Sequence, residues 1–242
     1  MKVLVACEES QAVTKELRKL GHEAYSCDII PCSGGHPEWH IIQDVIPLVN
    51  GNCEFRTMDG ETHEVNGKWD MLIAFPPCTY LTSAGSRHYS RRINPEWKVR
   101  ERELKREEAK NFFLSFAKAD CDRIAIENPV GYMNTHFRKP NQIIHPYYFA
   151  ESEQDTDNYV QKRTCLWLKN IPCLKRITNL EKPKPKYYCQ GEKCKGKPIG
   201  WCEGLSVPGG KEAMSKARSK TFPGIAKAMA EQWAGRLEEY RP

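Results

Sequence analysis

Short apolar runs alternate along the chain with stretches whose apolar positions repeat at helical spacing. Lys2–Ala6 is a β-branched, apolar run. A polar turn follows, then Ser10, which can cap a helix bearing Val13, Leu17 and Leu20 on one face before Gly21 ends it. Glu23–Asp28 reads as a second strand and Trp69–Phe75 as a third, stopped at Pro76-Pro77, where two missing N–H donors forbid a central ladder from continuing. Asn94-Pro95 caps a long helix, charged through Lys110 and apolar only around Phe112, Phe113 and Phe116, so its first half is expected to project into solvent. Asp122–Glu127 supplies another buried strand. From Lys169 to Gly210, prolines between lysines and frequent glycines predict mostly loop, and the chain closes with a helix whose stripe is Ile225, Met229, Trp233 and Leu237.

Strands alternating with helices predict an α/β fold, a doubly wound, mostly parallel sheet covered on both faces. The expected division is a catalytic and cofactor-binding body over 1–163, a short basic Cys/Gly/Lys-rich insert over 164–217, and a C-terminal motif and helix over 218–242 that returns to the body. In such sheets ligands sit at the carboxyl ends of the strands, where the strand order reverses. Four of those ends are chemically loaded: Cys7-Glu8-Glu9-Ser10, Asp28 with Ile29, Phe75-Pro76-Pro77-Cys78, and Glu127-Asn128-Pro129. Asp28 lies about 20 residues after the first turn, the distance at which nucleotide-binding folds place a carboxylate for a ribose. No GxGxxG follows the first strand, so a dinucleotide phosphate site is not expected.

The 242 residues, 40% hydrophobic and 28% charged, suffice for one core and exclude collagen, coiled-coil and disordered classes. No apolar run approaches the 18 or so residues of a membrane span, and Glu8-Glu9 interrupts any signal peptide, so a soluble, cytoplasmic protein is expected. Eleven cysteines in such a chain read as thiols, ligands or a nucleophile rather than a disulfide framework. The net charge of +6 is unevenly spread. Residues 1–161 carry 19 basic and 24 acidic side chains, residues 162–220 carry 15 and 4. This asymmetry suits a polyanion such as nucleic acid, the alternative being a lysine-rich solvated loop.

A cysteine directly after Pro-Pro at a strand end stands at the ligand face of the sheet, an address suited to a nucleophile. Cys7, Cys27, Cys53 and Cys121 read instead as small core hydrophobes. Glu127 ends an apolar strand, so its carboxyl should be neutral or engaged with a cation or ligand, with a helix cap as the simpler role for Asn128. Cys189, Cys194 and Cys202 crowd a segment rich in glycine and lysine, which suits a small zinc-stapled loop with Cys173, a histidine or water as fourth ligand. Free thiols in a mobile loop are the other reading. With a metal bound, Lys193, Lys195 and Lys197 would meet phosphates, with Arg87, Arg91, Arg92 and the charged helix after Pro95 as second candidates, that helix reading equally well as a solvated face because Glu101, Glu103, Glu107 and Glu108 offset its basic residues.

In order and spacing these features resemble the cytosine-5 DNA methyltransferases, and more closely the compact phage and prophage DNA cytosine methylases. Trp69 to Tyr80 (WDMLIAFPPCTY) is similar to the family's catalytic strand and Pro-Cys loop, Glu127-Asn128 to its Glu-Asn dipeptide, and Gln161-Lys162-Arg163 to its Gln-x-Arg motif. Gly21 to Asp28 resembles the cofactor strand, Gln43-Asp44 the aspartate near the adenine, and Arg218 to Ile225 the C-terminal motif. The resemblance implies S-adenosylmethionine as methyl donor, DNA as partner, and the cytoplasm of a bacterial host as location. It implies catalysis by Cys78, Glu127 and Arg163 with Gln161, Pro77 and Asn128. It also implies a cofactor site of Cys7, Glu8, Glu9, Ser10, Asp28, Ile29, Asp44, Phe75 and Pro76. The chain departs from the family at Cys7-Glu8-Glu9-Ser10, where a glycine-rich turn is usual, and at Thr221 and Pro223, where an asparagine is usual. It also lacks a large recognition domain after Arg163. Two other functions compete. An amino-group methyltransferase would want Asp, Asn or Ser before the prolines and an aromatic after them, which Phe75 and Cys78 do not provide. A catalytically silent nucleic-acid-binding protein would tolerate Cys78→Ala in every assay.

Overall fold

The computed structural model describes residues 1–192 and 194–236, without the side chains of residues 211, 212 and 215. In chain order the strands are β1 (Lys2–Ala6), β2 (Glu23–Asp28), β3 (His40–Ile42), β4 (Cys53–Arg56), β5 (Thr62–Val65), β6 (Met71–Ala74), β7 (Ile124–Pro129), β8 (Gln142–Ile144), β9 (Thr164–Lys169), β10 (Tyr187–Tyr188) and β11 (Pro198–Ile199). The helices are α1 (Ala12–Lys19), α2 (Glu96–Ala117), α3 (Met133–His136), α4 (Trp201–Gly204), α5 (Gly210–Ser219) and α6 (Pro223–Trp233).

Seven strands form the central sheet in the order β3-β2-β1-β6-β7-β9-β8. The first five are parallel, and β9 runs antiparallel to both of its neighbours, so the sheet is mixed though mostly parallel. From β1 the chain builds outward through β2 and β3, then crosses back to add β6 and β7 on the other side. That reversal opens a crevice at the carboxyl ends of β1 and β6.

Period-two alternation divides the buried strand residues between two apolar layers. Val3, Val5, Met71, Ile73, Ala125 and Leu166 share one with Val13 and Leu17 of α1 and Ile225, Met229 and Trp233 of α6. Leu4, Ala6, Leu72, Ala74, Ile126 and Trp167 share the other with Phe113 and Phe116 of α2. Phe113 and Phe116 are fully buried, each contributing about 2 kcal/mol. They anchor a helix whose charged front adds only a few tenths of a kcal/mol through pairs such as Glu96–Arg100 and Glu101–Lys105.

Several expectations need correction. The first half of α2 does not simply project into solvent. Val99 is fully buried, and Arg102 and Arg106 lie over the rings of Tyr80, Tyr89 and Tyr132. Ser10 does not cap α1, because Gln11 intervenes in the left-handed region at φ 56° and the Glu8 carboxylate takes the free N–H groups of Val13 and Thr14. The strand expected at 122–127 is shifted to Ile124–Pro129, since antiparallel pairing with β9 carries the ladder on to Pro129. The loop expected over 169–210 contains the β10–β11 hairpin and α4, and α5 was not anticipated. Lys193 and Leu237 lie outside the described residues.

Candidate active site

β6 ends at Ala74, and the chain passes through half-buried Phe75, buried Pro76 and exposed Pro77 to half-buried Cys78. The next turn hangs from the Cys78 carbonyl, which accepts the N–H groups of Leu81 and Thr82, both at 2.9 Å. Two neighbours hold this loop. The buried Asn128 side chain donates through Nδ2 to the Pro76 carbonyl at 2.8 Å, tying the end of β7 to the Pro-Pro-Cys segment, while its Oδ1 has no partner. Asn128 thus braces the loop rather than capping a helix. Gly131, just beyond β7, lies against the loop at Leu81 and Thr82. A Cβ there would fall 2.0 Å from the Leu81 carbonyl oxygen, and the adjacent Tyr132 N–H donates to that oxygen at 2.7 Å. Gly131 was missed in the sequence because the need for glycine arises from a contact between strands distant in the chain.

Glu127 precedes Asn128 and sits on the opposite face of β7 by alternation. It is half-buried by surface area, yet enclosed by enough protein that burial raises its carboxyl above the ordinary carboxylate range, with the Lys162 ammonium opposing the rise. Its carboxyl accepts no hydrogen bond from a described residue. Burial also pushes the Cys78 thiol up to about 11; Glu127 adds to the rise and Lys162 opposes it. The free site therefore holds a neutral thiol next to a carboxyl that favours its proton.

The cation at this site is Lys162, not Arg163. Lys162 Nζ donates to the Arg218 carbonyl at 3.1 Å and lies 5.6 Å from the ring centre of Trp201 and 5.5 Å from that of Phe222. Arg163 is exposed, and its charge acts instead on His145 and Cys165. Leu166 pairs with Glu127 and shares its face of the sheet, and Lys162 and Arg163 immediately precede the start of β9 at Thr164. Gln161 does not reach the site, since its Nε2 donates to the Pro183 carbonyl at 2.6 Å and secures the following loop.

The rim at the ends of β1 to β3 gathers Cys7, Asp28 and Asp44. Cys7 takes φ 59°, in the left-handed region, and its N–H donates to the Cys27 carbonyl at 2.7 Å. Burial, then Asp28, hold its thiol well above the usual range. Burial raises Asp28 as well. Ile29 beside it is 75% exposed, and Asp44 is exposed, accepting the Ile46 N–H at 3.0 Å. Of the two acids after β1, Glu8 turns inward to α1, whereas Glu9 keeps a buried Oε2 with no hydrogen bond, 3.3 Å from Lys216 Nζ. The Ser10 side chain is buried.

Of the four cysteines expected to share a metal, the structure brings together only Cys189 and Cys194. Cys189 and Cys194 are joined in a disulfide, Cys173 is exposed near the Asn141 carbonyl, and Cys202 adds to the rise at Cys78. Among the described residues no three His, Cys, Asp or Glu side chains are grouped to hold a metal ion. Also among them, no helix is long and apolar enough to cross a membrane.

Chemically, the crevice offers a thiol able to add to an electrophilic carbon, a carboxyl able to share its proton, and a cation acting on both. No protein-family model matches the chain, and no curated protein matches it in sequence.

Proposed function

We propose that the protein is a DNA cytosine-5 methyltransferase built on the doubly wound fold of S-adenosylmethionine-dependent methyltransferases. The observation that carries this reading is the Asn128–Pro76 hydrogen bond, which couples the Glu-Asn dipeptide to the Pro-Pro-Cys loop at the reversal of strand order. The rim is suited to the donor. Ile29 offers an uncovered apolar surface for an adenine and Asp28 a carboxylate for a ribose diol, while Glu9, now in an ion pair with Lys216, would have to exchange that partner to meet an ammonium group. Asp44 would stand near the adenine and Phe75 and Pro76 near the transferred group. S-adenosylmethionine supplies an electrophilic methyl group when bound.

Carbon 5 of cytosine is a poor nucleophile until the ring is activated. Cys78 gives its proton to solvent water and adds through Sγ to carbon 6, while the electrons of the 5,6 double bond become available at carbon 5 and charge moves toward N3. Glu127, whose carboxyl burial shifts toward the protonated form, donates a hydrogen bond at N3 when it carries that proton. Lys162 favours the thiolate over the thiol, easing the loss of a proton that burial otherwise holds. Once carbon 5 is methylated, its proton departs to a base, the Cys78–C6 bond breaks, and the aromatic ring returns. In duplex DNA the cytosine must first leave the stack, at about a few kcal/mol. Contacts to phosphate, for which Lys195 and Lys197 are candidates, would offset this.

The test is to incubate the protein with DNA and S-adenosylmethionine, digest to nucleosides, and analyse by mass spectrometry beside Cys78→Ala. A 5-methylcytosine peak absent from the Cys78→Ala sample supports the proposal. No modified base from DNA of several sources, or methylated adenine, overturns it.

A further inference from the structure

Beside the nucleophile loop, and outside the residues assigned above, lies a cleft of about 170 Å³ between that loop and the first turns of α2. Tyr80 and His88 of the loop, and Lys98, Arg102 and Lys105 of α2, line it. Its charges are unequally committed. Lys105 is neutralised by Glu101, also in the wall, at 2.7 Å. Arg91 and Arg100, outside the cleft, are held by Glu96 and Glu103. Lys98 is exposed with no ion pair among the described residues, and His88 is an exposed imidazole whose Nε2 accepts from Arg87 Nε at 3.5 Å. Arg102 spends one amino group on the Thr79 carbonyl at 3.2 Å, but its Nε has no partner. The cleft therefore carries net positive charge and an unsatisfied donor, and its wall begins at Tyr80, two residues beyond Cys78 in the chain. At its edge Trp97 is 62% exposed, with Lys98 Nζ 5.2 Å from its ring centre. An indole left in water next to an uncommitted ammonium suits a base that stacks while its phosphate pairs.

We propose that this cleft seats a phosphate of the nucleic-acid strand that carries the target base, with Lys98 and His88 as its contacts and Trp97 as the stacking platform for the adjoining base. The assignment rests on the function proposed above and extends it by naming where the strand runs. Because Arg102 bridges the cleft to the Thr79 carbonyl and to the rings of Tyr80 and Tyr89, a phosphate held here would fix the loop that presents Cys78.

The experiment measures binding of the full chain to fluorescent single-stranded and duplex DNA from 50 to 300 mM salt, roughly the range in which phosphate contacts are titrated. It uses wild type, the double variant Lys98→Ala/His88→Ala, Trp97→Ala, and Arg100→Ala as a control on the same helix but outside the cleft. These side chains are exposed, so the fold survives each change. The double variant should bind more weakly, with the slope of log K against log salt reduced by about 1, while Arg100→Ala keeps the wild-type slope. Trp97→Ala should lose about tenfold in affinity with the slope unchanged, as expected when stacking alone is removed. If wild type binds DNA but the double variant keeps its slope, the cleft assignment is wrong and the proposed function stands. If wild type neither binds nor modifies DNA, both fall together.

Discussion

Glu8 offers a test that needs no substrate. Its carboxylate closes the first turn of α1, with Oε1 accepting the Val13 N–H at 2.6 Å and Oε2 accepting the Thr14 N–H at 3.2 Å and hydroxyl at 2.7 Å. Those donors favour the charged form. Yet the residue is only 3% exposed, and burial outweighs them, carrying the group from 4.5 up to about 7. The native state therefore binds this proton more tightly than the unfolded chain does. Stability from that proton is fully present below pH 4.5 and is lost as the pH rises through 7. At 1.36 kcal/mol per pH unit the swing is about 3 kcal/mol, most of it still present at pH 5 and almost none at pH 8. Glu8→Gln removes the titration. Its amide can still accept from Val13, but it turns an N–H group toward the Thr14 N–H, at a fixed cost of about 1 to 3 kcal/mol. Urea unfolding followed by circular dichroism at pH 5, 6, 7 and 8 should show the variant losing most at pH 5 and gaining on wild type by about 2 to 3 kcal/mol by pH 8. A stability difference constant to within about 0.5 kcal/mol across that range would show that the three hydrogen bonds, not burial, govern Glu8.

Other expectations follow from the Cys78 loop. If Lys162 is the working cation, Lys162→Met should lower single-turnover modification by about 100-fold or more while Arg163→Met lowers it by less than tenfold, a typical span for loss of one electrostatic stabiliser; the reverse ranking would return the role to Arg163. With the Cys78 thiol held near 11, its alkylation by iodoacetamide, read by peptide mass spectrometry, should rise about tenfold per pH unit from pH 7 to 10 and slow further in Lys162→Met. A plateau near pH 8 would refute that. Gly131→Ala should destabilise the fold by about 1 to 3 kcal/mol through overpacking against the Leu81 carbonyl, and lower turnover at temperatures where the protein remains folded. Wild-type turnover there would show that the loop moves aside without consequence.

What was legible in the sequence follows from how far apart its determinants lie along the chain. β1 and β2 appeared at their expected limits because each is a continuous apolar or alternating run whose fate is decided locally. The site's thiol and carboxyl were legible for the same reason, as chemically costly residues at strand ends. β3, β8 and β9 went unrecognised. β3 and β8 have three residues each, too few to show a period, and all three strands are made by pairing with distant segments. Adjacent basic residues before a strand look equivalent in the sequence, and they differ only in the folded chain, where Lys162 acts on Glu127 and Cys78 and Arg163 on His145 and Cys165. Glu8 shows the same dependence at the first turn. With Gln11 in the left-handed region, the helix begins one residue later than expected, and the acid that looked free for a ligand is needed by the buried first-turn N–H groups of α1, which have no partner within the helix. That leaves Glu9 as the acid of this turn not spent on the helix, its Oε2 paired with the Lys216 ammonium at 3.3 Å. Local pattern thus identified the chemical groups, and non-local contacts decided which of two neighbours at each position serves the site and which serves the fold.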